Sequence, residues 1–223
     1  MNLVENKTLD MERALYGSDG IVLKHCAFDG PADGESALKE RRNMEVENCF
    51  FNLRYPFWHD DGLNITGSEM TELCRAALWY STHVTITDSK LHGIKALREC
   101  SQVSLRDCDV ISAEFGWSVH NMEMMNCTVQ SEYFMMRSDH LAFRNVRLKG
   151  KYSFQYIHDA TLTAVPSTPK TPSGTPKMWW CATARSRANT WHGIAKMSPS
   201  STAKSSEPSP CATAKACGWW TAK

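Results

Sequence analysis

The sequence lacks any long hydrophobic run, and this limits where the protein can reside. No apolar stretch approaches the roughly 20 residues that a membrane span requires. The segment from Met1 to Gly20 also has no apolar core of the kind found in secretory signal peptides. We therefore expect a cytoplasmic protein that has no membrane partner.

The first 160 residues also lack an excess of positive charge. They contain 17 Lys and Arg against 23 Asp and Glu, and the basic residues are scattered along the chain. A nucleic-acid surface needs basic residues concentrated on one face. We therefore expect no nucleic-acid partner.

Paired cysteine motifs are missing as well. The nine cysteines include no Cys-x-x-Cys pair, which is a frequent spacing in structural zinc sites. Without a signal peptide, these cysteines are expected to be reduced thiols and not a disulfide framework. We expect no metal site and no bound cofactor.

Composition changes abruptly near residue 160. Residues 161–223 have 8 Lys and Arg against the single Glu207, and they hold seven of the nine prolines and five of the eight tryptophans. They contain almost no Leu, Ile, Val or Phe. The sequence therefore predicts a repeat domain over residues 1–160 and a disordered basic tail, rich in Pro, Thr, Ala and Lys, over residues 161–223.

One short phrase recurs seven times in the repeat domain: apolar, any, apolar, any, Asn or Asp, then Cys or Ser, with small variations. The phrases end at Cys26, Cys49, Ser68, Ser89, Cys108, Cys127 and Val146, and the last three steps are 19 residues each. A fixed period of about 20 residues with strand-like alternation predicts a solenoid, in which each coil buries its apolar face against its neighbours.

The content of each repeat favours an all-β fold, a single-stranded right-handed parallel β-helix of about seven coils with a repeat of 19–23 residues. The first strand alternates, as in Val84-Thr85-Ile86, and the Asn or Asp that follows suits a left-handed bend. A second apolar stretch comes 8–11 residues later. Leucine-rich repeats are the nearest alternative, but their several leucines around an Asn are absent.

Stacking of coils turns equivalent repeat positions into columns. The column at the end of each phrase accepts Cys, Ser and Val, which predicts small buried side chains. The Asn and Asp before it are expected to form a polar ladder along the solenoid. At the other end, residues 1–16 are expected to form an N-terminal cap.

One outward-facing column is rich in aromatic and charged side chains, and we call it the ladder column. It consists of Lys39, Trp58, Trp79, Arg98, Trp117, Met136 and Gln155. Coils lie roughly 4.8 Å apart, so Trp58 is expected to stack directly on Trp79, with Arg98 against Trp79 as a cation–π partner. A flanking column adds His59, Tyr80, Glu99, Ser118, Arg137 and Tyr156.

An exposed aromatic strip with both signs of charge suits an elongated polar ligand such as an oligosaccharide or polysaccharide. The predicted ligand-binding residues are Lys39, Trp58, Trp79, Tyr80, Arg98, Trp117 and Arg137. The alternative is a non-catalytic scaffold, in which the ladder holds the coils together and serves as a protein-interaction surface. The sequence does not indicate an oligomeric state.

Several strings in this region resemble a known family. They include Asn52-Leu53-Arg54-Tyr55-Pro56-Phe57-Trp58-His59-Asp60-Asp61, Arg75-Ala76-Ala77-Leu78-Trp79-Tyr80 and His92-Gly93-Ile94-Lys95-Ala96-Leu97-Arg98-Glu99-Cys100. From residue 12 to about residue 160 the chain resembles domain-of-unknown-function family 3737, a bacterial family of pectin-lyase-like right-handed β-helix proteins. The resemblance implies the fold and implies no reaction, because the family has no assigned activity.

Polysaccharide chemistry on this fold would need carboxylates that the repeat does not gather into a complete motif. Asp60 and Asp61 are adjacent in sequence and are expected to point apart. Glu99 and Glu114 lie in adjoining coils, where two carboxyls can reach the separation of roughly 6.5–9.5 Å used in inverting hydrolysis. The catalytic residues are therefore unknown, and the candidates are Glu99, Glu114, His59, Asp60 and Arg98.

The tail carries a trace of the repeat in a shifted reading frame. Back-translated with permitted codons, residues 167–180 can spell a segment containing the same Phe-Trp-His as residues 57–59, and residues 211–221 give a second repeat-like string. We hypothesise a single frame shift near residue 162, which would leave a truncated solenoid followed by out-of-frame sequence.

Sequencing the gene from codon 150 to beyond the stop codon tests this hypothesis. We expect a single-base insertion or deletion, after which the corrected frame continues the repeat. An intact frame with no repeat-like overlap would contradict it.

Overall fold

A computed structural model describes residues 2–17, 19–163 and 182–184. These residues form only β-strands and turns, and they contain no helix that could cross a membrane. The strands are β1 (Asn2–Glu5), β2 (Thr8–Leu9), β3 (Asp19–Lys24), β4 (Ala27–Phe28), β5 (Arg42–Glu47), β6 (Phe50–Phe51), β7 (Phe57–Trp58), β8 (Asp61–Thr66), β9 (Glu69–Met70), β10 (Leu78–Trp79), β11 (Thr82–Thr87), β12 (Lys90–His92), β13 (Leu97–Arg98), β14 (Ser101–Arg106), β15 (Asp109–Ile111), β16 (Glu114–Phe115), β17 (His120–Met125), β18 (Thr128–Phe134), β19 (Asp139–Arg144), β20 (Arg147–Ser153), β21 (His158–Thr163) and β22 (Ala182–Ala184).

The strands stack into three sheets that run along the length of a parallel β-solenoid. Sheet 1 has the order β1-β3-β5-β8-β11-β14-β17-β19-β21-β22, and all of its pairings are parallel except the antiparallel pairing of β21 with β22. Sheet 2 has the order β16-β18-β15-β12-β9-β6-β4-β2, with β20 also on β18, and sheet 3 has the order β13-β10-β7. The predicted all-β solenoid is confirmed.

The solenoid has about eight turns, close to the predicted seven. Strand β1 pairs in parallel with β3, so sheet 1 extends into residues 1–16, the segment that was expected to form an N-terminal cap. The predicted tail lies outside the described residues except for residues 161–163, at the end of β21, and β22. The sequence beyond the hypothesised frame shift near residue 162 also lies outside the described residues, except for residue 163 and β22.

Alternation along the strands of sheet 1 fills the interior. Successive strands pair in register, so that Val84 faces Val103 and Ile86 faces Leu105, and all four side chains are at most 2% exposed. Aromatic rings also stack from coil to coil inside the solenoid, with Phe28 4.8 Å from Phe51. Full burial of one such side chain contributes about 1.5–3 kcal/mol.

Each main strand of sheet 1 except the last described one ends in a left-handed residue, as the sequence predicted. Their φ angles lie between 48° and 60°, and they are Asn6, His25, Asn48, Gly67, Asp88, Asp107, Asn126 and Asn145. In the later coils the side chains form the predicted polar ladder. The amide Nδ2 of Asn126 donates to Asp107 Oδ1 at 3.0 Å, and that of Asn145 donates to Asn126 Oδ1 at 2.9 Å.

The column of small side chains that follows this bend has a role beyond packing. The backbone N–H of Cys26 donates to Cys49 Sγ at 3.4 Å, and that of Cys49 donates to Ser68 Oγ at 3.0 Å. The N–H of Ser68 in turn donates to Ser89 Oγ at 3.1 Å. Each side chain therefore accepts the inward-facing amide of the coil before it, which explains why the column is built mainly from Cys and Ser.

A second internal column contains a buried arginine and a buried aspartate. It consists of Arg41, Asp60, Ser81, Cys100, Val119, Ser138 and Ile157, all buried. Asp60 Oδ1 accepts the backbone N–H of Arg41 at 2.8 Å, and the N–H of Asp60 donates to Ser81 Oγ at 3.2 Å. Arg41 is 2% exposed and Asp60 is 1% exposed, and burial raises the pKa of Asp60 to about 8.

The adjacent acid points the other way. The Asp61 side chain is 50% exposed and lies 2.7 Å from His83 Nδ1. The two acids therefore diverge, as the sequence predicted. The reason is the alternation of side chains as the chain enters β8, which turns Asp60 inward and Asp61 outward.

Replacing Asp60 with Asn should change how stability depends on pH. Because the pKa of Asp60 is raised from its ordinary 3.8 to about 8 in the folded protein, the folded chain retains a proton that the unfolded chain releases. The free energy of unfolding should therefore fall as pH rises from about 4 to about 8. We expect Asp60→Asn to flatten this dependence in urea denaturation.

Asp61→Asn is the matched control, since it removes the neighbouring exposed carboxyl. It should leave the slope between these pH values close to that of the wild type. Parallel curves for the wild type and Asp60→Asn would contradict the assignment of this proton to Asp60.

Candidate functional site: the ladder face

Sheet 3 places the ladder column on one face of the solenoid. Its strands β7, β10 and β13 pair Trp58 with Trp79 and Trp79 with Arg98. A further bridge joins Arg98 to Trp117. The structure therefore brings these four side chains together in the predicted order.

The two tryptophans are in contact, but they do not stack directly as expected. The rings of Trp58 and Trp79 have centroids 5.0 Å apart and planes inclined at 70°, which is an edge-to-face pair. The Nε1 of Trp58 donates to the carbonyl oxygen of Ala76 at 3.0 Å, which fixes the orientation of its ring. Edge-to-face geometry also suits the charge distribution of aromatic rings better than a direct face-to-face sandwich.

Arg98 makes the predicted cation–π contact and a second one. Its guanidinium carbon lies 4.9 Å from the ring centroid of Trp79 and 5.2 Å from that of Trp117. Its Nε also lies 3.3 Å from Glu99 Oε1. At the other end of the column, Lys39 Nζ lies 5.8 Å from the centroid of Trp58.

These contacts leave the ladder column only half exposed. All of its side chains are of intermediate exposure. The Nε1 atoms of Trp79 and Trp117 are buried and have no hydrogen-bond partner. A ligand on this face would therefore meet the edges of the ladder and not open ring faces.

The exposed part of the face is the neighbouring column, which we call the rim column. Its members have positive φ angles between 49° and 59°, and they are Glu40, His59, Tyr80, Glu99, Ser118, Arg137 and Tyr156. His59 and Tyr80 stack with their centroids 4.9 Å apart and their planes at 13°. Tyr80 is 44% exposed and Tyr156 is 56% exposed.

The left-handed conformation of the rim column was not predicted. Such a conformation is costly for bulky residues such as Tyr80, and no glycine occurs in the column to indicate it. The sequence contains one indication of this conformation: a rim residue directly follows each ladder residue, at the corner between sheets 3 and 1.

The candidate catalytic residues are not gathered into one site. Glu99 pairs with Arg98, Glu114 Oε2 lies 4.0 Å from Lys95 Nζ, and Asp60 is enclosed in the core. Asp60 therefore does not face the ladder, which corrects its place among the candidates. Within the described part of the chain, no group of three or more His, Cys, Asp or Glu is arranged to hold a metal ion.

A histidine cluster beside the rim column was not predicted from the sequence. Asp139 Oδ1 lies 2.9 Å from His120 Nδ1 and 3.1 Å from His140 Nδ1. Burial opposes ionisation of Asp139, but the hydrogen bonds from His140 and His120 hold its pKa below the ordinary value. Pairing of β17 with β19 brings these residues together across coils, which their sequence spacing did not indicate.

Comparison with known proteins places the chain in a family. No curated protein sequence matches it. Among solved structures, trypsin-treated QnrB1, a plasmid-mediated fluoroquinolone resistance protein, has a TM-score of 0.30 and 10% identity, with 65% of this chain and 83% of that chain covered. The family described as "Protein of unknown function (DUF3737)" matches residues 2–170. This match spans every parallel strand of the solenoid, and the chain therefore belongs to the DUF3737 family.

Proposed function

We propose that this protein binds an elongated carbohydrate along the ladder face and does not transform it. The observation that carries the proposal is the rim column, a continuous row of exposed or half-exposed side chains that present one hydrogen-bonding group per coil. Its imidazole, phenol, hydroxyl, guanidinium and carboxylate groups match the donors and acceptors of a hydroxyl-rich chain.

The carbohydrate would contact the ring edges and the polar ends of the side chains in the rim column. The faces of His59 and Tyr80 are turned toward each other, and the ring of Trp79 lies 5.5 Å from that of Tyr80. Sugar rings would therefore lie across the exposed edges of these side chains. Tyr80 and Arg137 are the central contacts in this arrangement.

The proposal includes no reaction because the candidate carboxylates either lie beside a cation or are buried. Glu99 and Glu114 each face a cation, and Asp60 lies in the core. A general acid needs a carboxyl that holds a proton and can reach the substrate. Burial raises the pKa of Asp60, but its carboxyl is enclosed in the core and does not reach the ladder face.

A second candidate is a non-catalytic scaffold that uses the same face for a protein partner. The observation that favours it is the double cation–π contact of Arg98, which gives the ladder a structural role in joining coils. Exposed Tyr and Arg are also residue types that dominate protein–protein interfaces.

Tyr80 variants test the carbohydrate proposal. We expect Tyr80→Ala to weaken oligosaccharide binding by about tenfold or more, since it removes both the ring edge and the hydroxyl. Tyr80→Phe should fall between Tyr80→Ala and the wild type. Affinity electrophoresis against a panel of neutral and acidic polysaccharides, followed by calorimetry on any that bind, gives the measurement.

Ile111→Ala is the control, because Ile111 is 39% exposed and lies on sheet 2, away from the ladder face. It should bind as the wild type does. If no polysaccharide retards the wild-type protein, or if Tyr80→Ala binds unchanged, the carbohydrate proposal is wrong.

The structural role of the ladder is tested separately by Arg98→Met, which keeps an unbranched apolar stem and removes the guanidinium group with its charge. We expect the free energy of unfolding to fall by about 1–2 kcal/mol, because two cation–π contacts are lost. Denaturant unfolding measures this change, with Arg106→Met as the matched control on the outer face of β14. Equal stabilities for the two variants would contradict a structural role for Arg98.

A further inference from the structure

Four of the buried cysteines are arranged as two vertical pairs inside the solenoid. Cys26 and Cys49 occupy the same internal position in consecutive coils, and so do Cys108 and Cys127. The two intervening coils carry Ser68 and Ser89 instead. All four cysteines are free thiols and at most 3% exposed.

The sulfurs of Cys108 and Cys127 each lie between a carbonyl of their own coil, 3.2 Å away on Arg106 or Met125, and a carbonyl of the preceding coil. Cys127 Sγ donates to the carbonyl oxygen of Leu105 at 3.7 Å, and Cys108 Sγ donates to that of Ile86 at 3.5 Å. The backbone N–H of Cys108 donates to the sulfur of Cys127, and the two thiols hydrogen-bond to each other. The sulfurs of this pair are therefore direct neighbours.

The spacing of coils is compatible with a covalent link between them. Paired strands lie roughly 4.8 Å apart, and the Cα atoms of a disulfide are usually about 4.4–6.8 Å apart. Parallel pairing of β15 with β18, directly after the two cysteines, holds Asp109 opposite Thr128 and so aligns Cys108 with Cys127.

We propose that Cys108 and Cys127 are an oxidation site, at which a small peroxide converts the two thiols into a disulfide that joins consecutive coils. The Cys127 thiolate attacks the peroxide oxygen, which gives a sulfenic acid and releases water when hydrogen peroxide is the oxidant. The Cys108 thiol then attacks this sulfur and displaces a second water. Two thiols are oxidised to one disulfide, and one peroxide is reduced.

The surroundings distinguish this pair from the other cysteines. The hydrogen bond between the two side chains shifts their pKa values in opposite directions: it lowers the pKa of Cys127 and raises that of Cys108, so Cys127 is the sulfur that is favoured as the thiolate. Burial instead raises the pKa of Cys49 to about 11 and that of Cys100 to about 12. In its own column Cys100 lies between Ser81 and Val119, so it has no thiol beside it there.

The test is to treat the folded full-length protein with hydrogen peroxide, alkylate the remaining thiols and map the peptides without reduction. We expect one peptide pair linked through Cys108 and Cys127, lighter by two hydrogen atoms and separated by dithiothreitol. The linked protein should melt several degrees higher than the reduced protein, because the link closes a loop of the unfolded chain.

Cys127→Ser is the informative variant, since Ser already occupies this column at residues 68 and 89 and preserves the acceptor for the preceding amide. It should fold, form no link and show no oxidative rise in melting temperature. Cys100→Ser is the control and should link Cys108 to Cys127 as the wild type does.

Two results would overturn the proposal. One is a folded wild-type protein in which Cys108 and Cys127 remain unlinked after peroxide treatment. The other is a mixture in which either cysteine links to Cys74 or Cys100 as often as the two link to each other. Neither result bears on carbohydrate binding, because this pair lies inside the solenoid and the proposed ligand lies on the ladder face.

Discussion

The backbone amide that turns inward at each corner is the constraint on which the rest of this solenoid depends. A left-handed residue ends each main strand except the last described one, and the next residue directs its N–H into the buried interior. An unpaired buried amide would cost about 1–3 kcal/mol per coil. Where the following coil carries Ser or Cys, its side chain accepts this amide, so hydrogen bonding and close packing are satisfied by the same small residues; Val146, in the last coil of the column, is the exception.

Much of the architecture was predictable because it repeats. Alternation in strings such as Val84-Thr85-Ile86 indicates which side chains are buried, and a period of 19 residues indicates which of them are neighbours. Asn and Asp at the bends were identified from their tolerance of left-handed backbone. Each of these inferences depends on local chemistry that is present in the sequence and recurs in several coils.

Features that occur once, or that depend on ring orientation, were not predictable. The edge-to-face contact of Trp58 with Trp79 follows from one hydrogen bond to Ala76, which no periodicity indicates. The burial of Asp60 depends on its exact place in a bend, where a shift of one residue reverses the direction of the side chain. That these side chains share one face was therefore predictable, while the contacts of each individual side chain depended on the structure.

The buried pair of Arg41 and Asp60 also bears on how the coils find their partners during folding. Successive coils are so alike that stacking a strand one coil out of step would bury a nearly equivalent apolar surface. In such an arrangement Arg41 would lie beside Ser81 instead of Asp60, and its backbone N–H would lose the carboxyl oxygen that accepts it at 2.8 Å in the native stacking. Two buried polar residues at a single level of the interior thus distinguish the native stacking from its near-copies, a discrimination that the repeated apolar residues cannot provide.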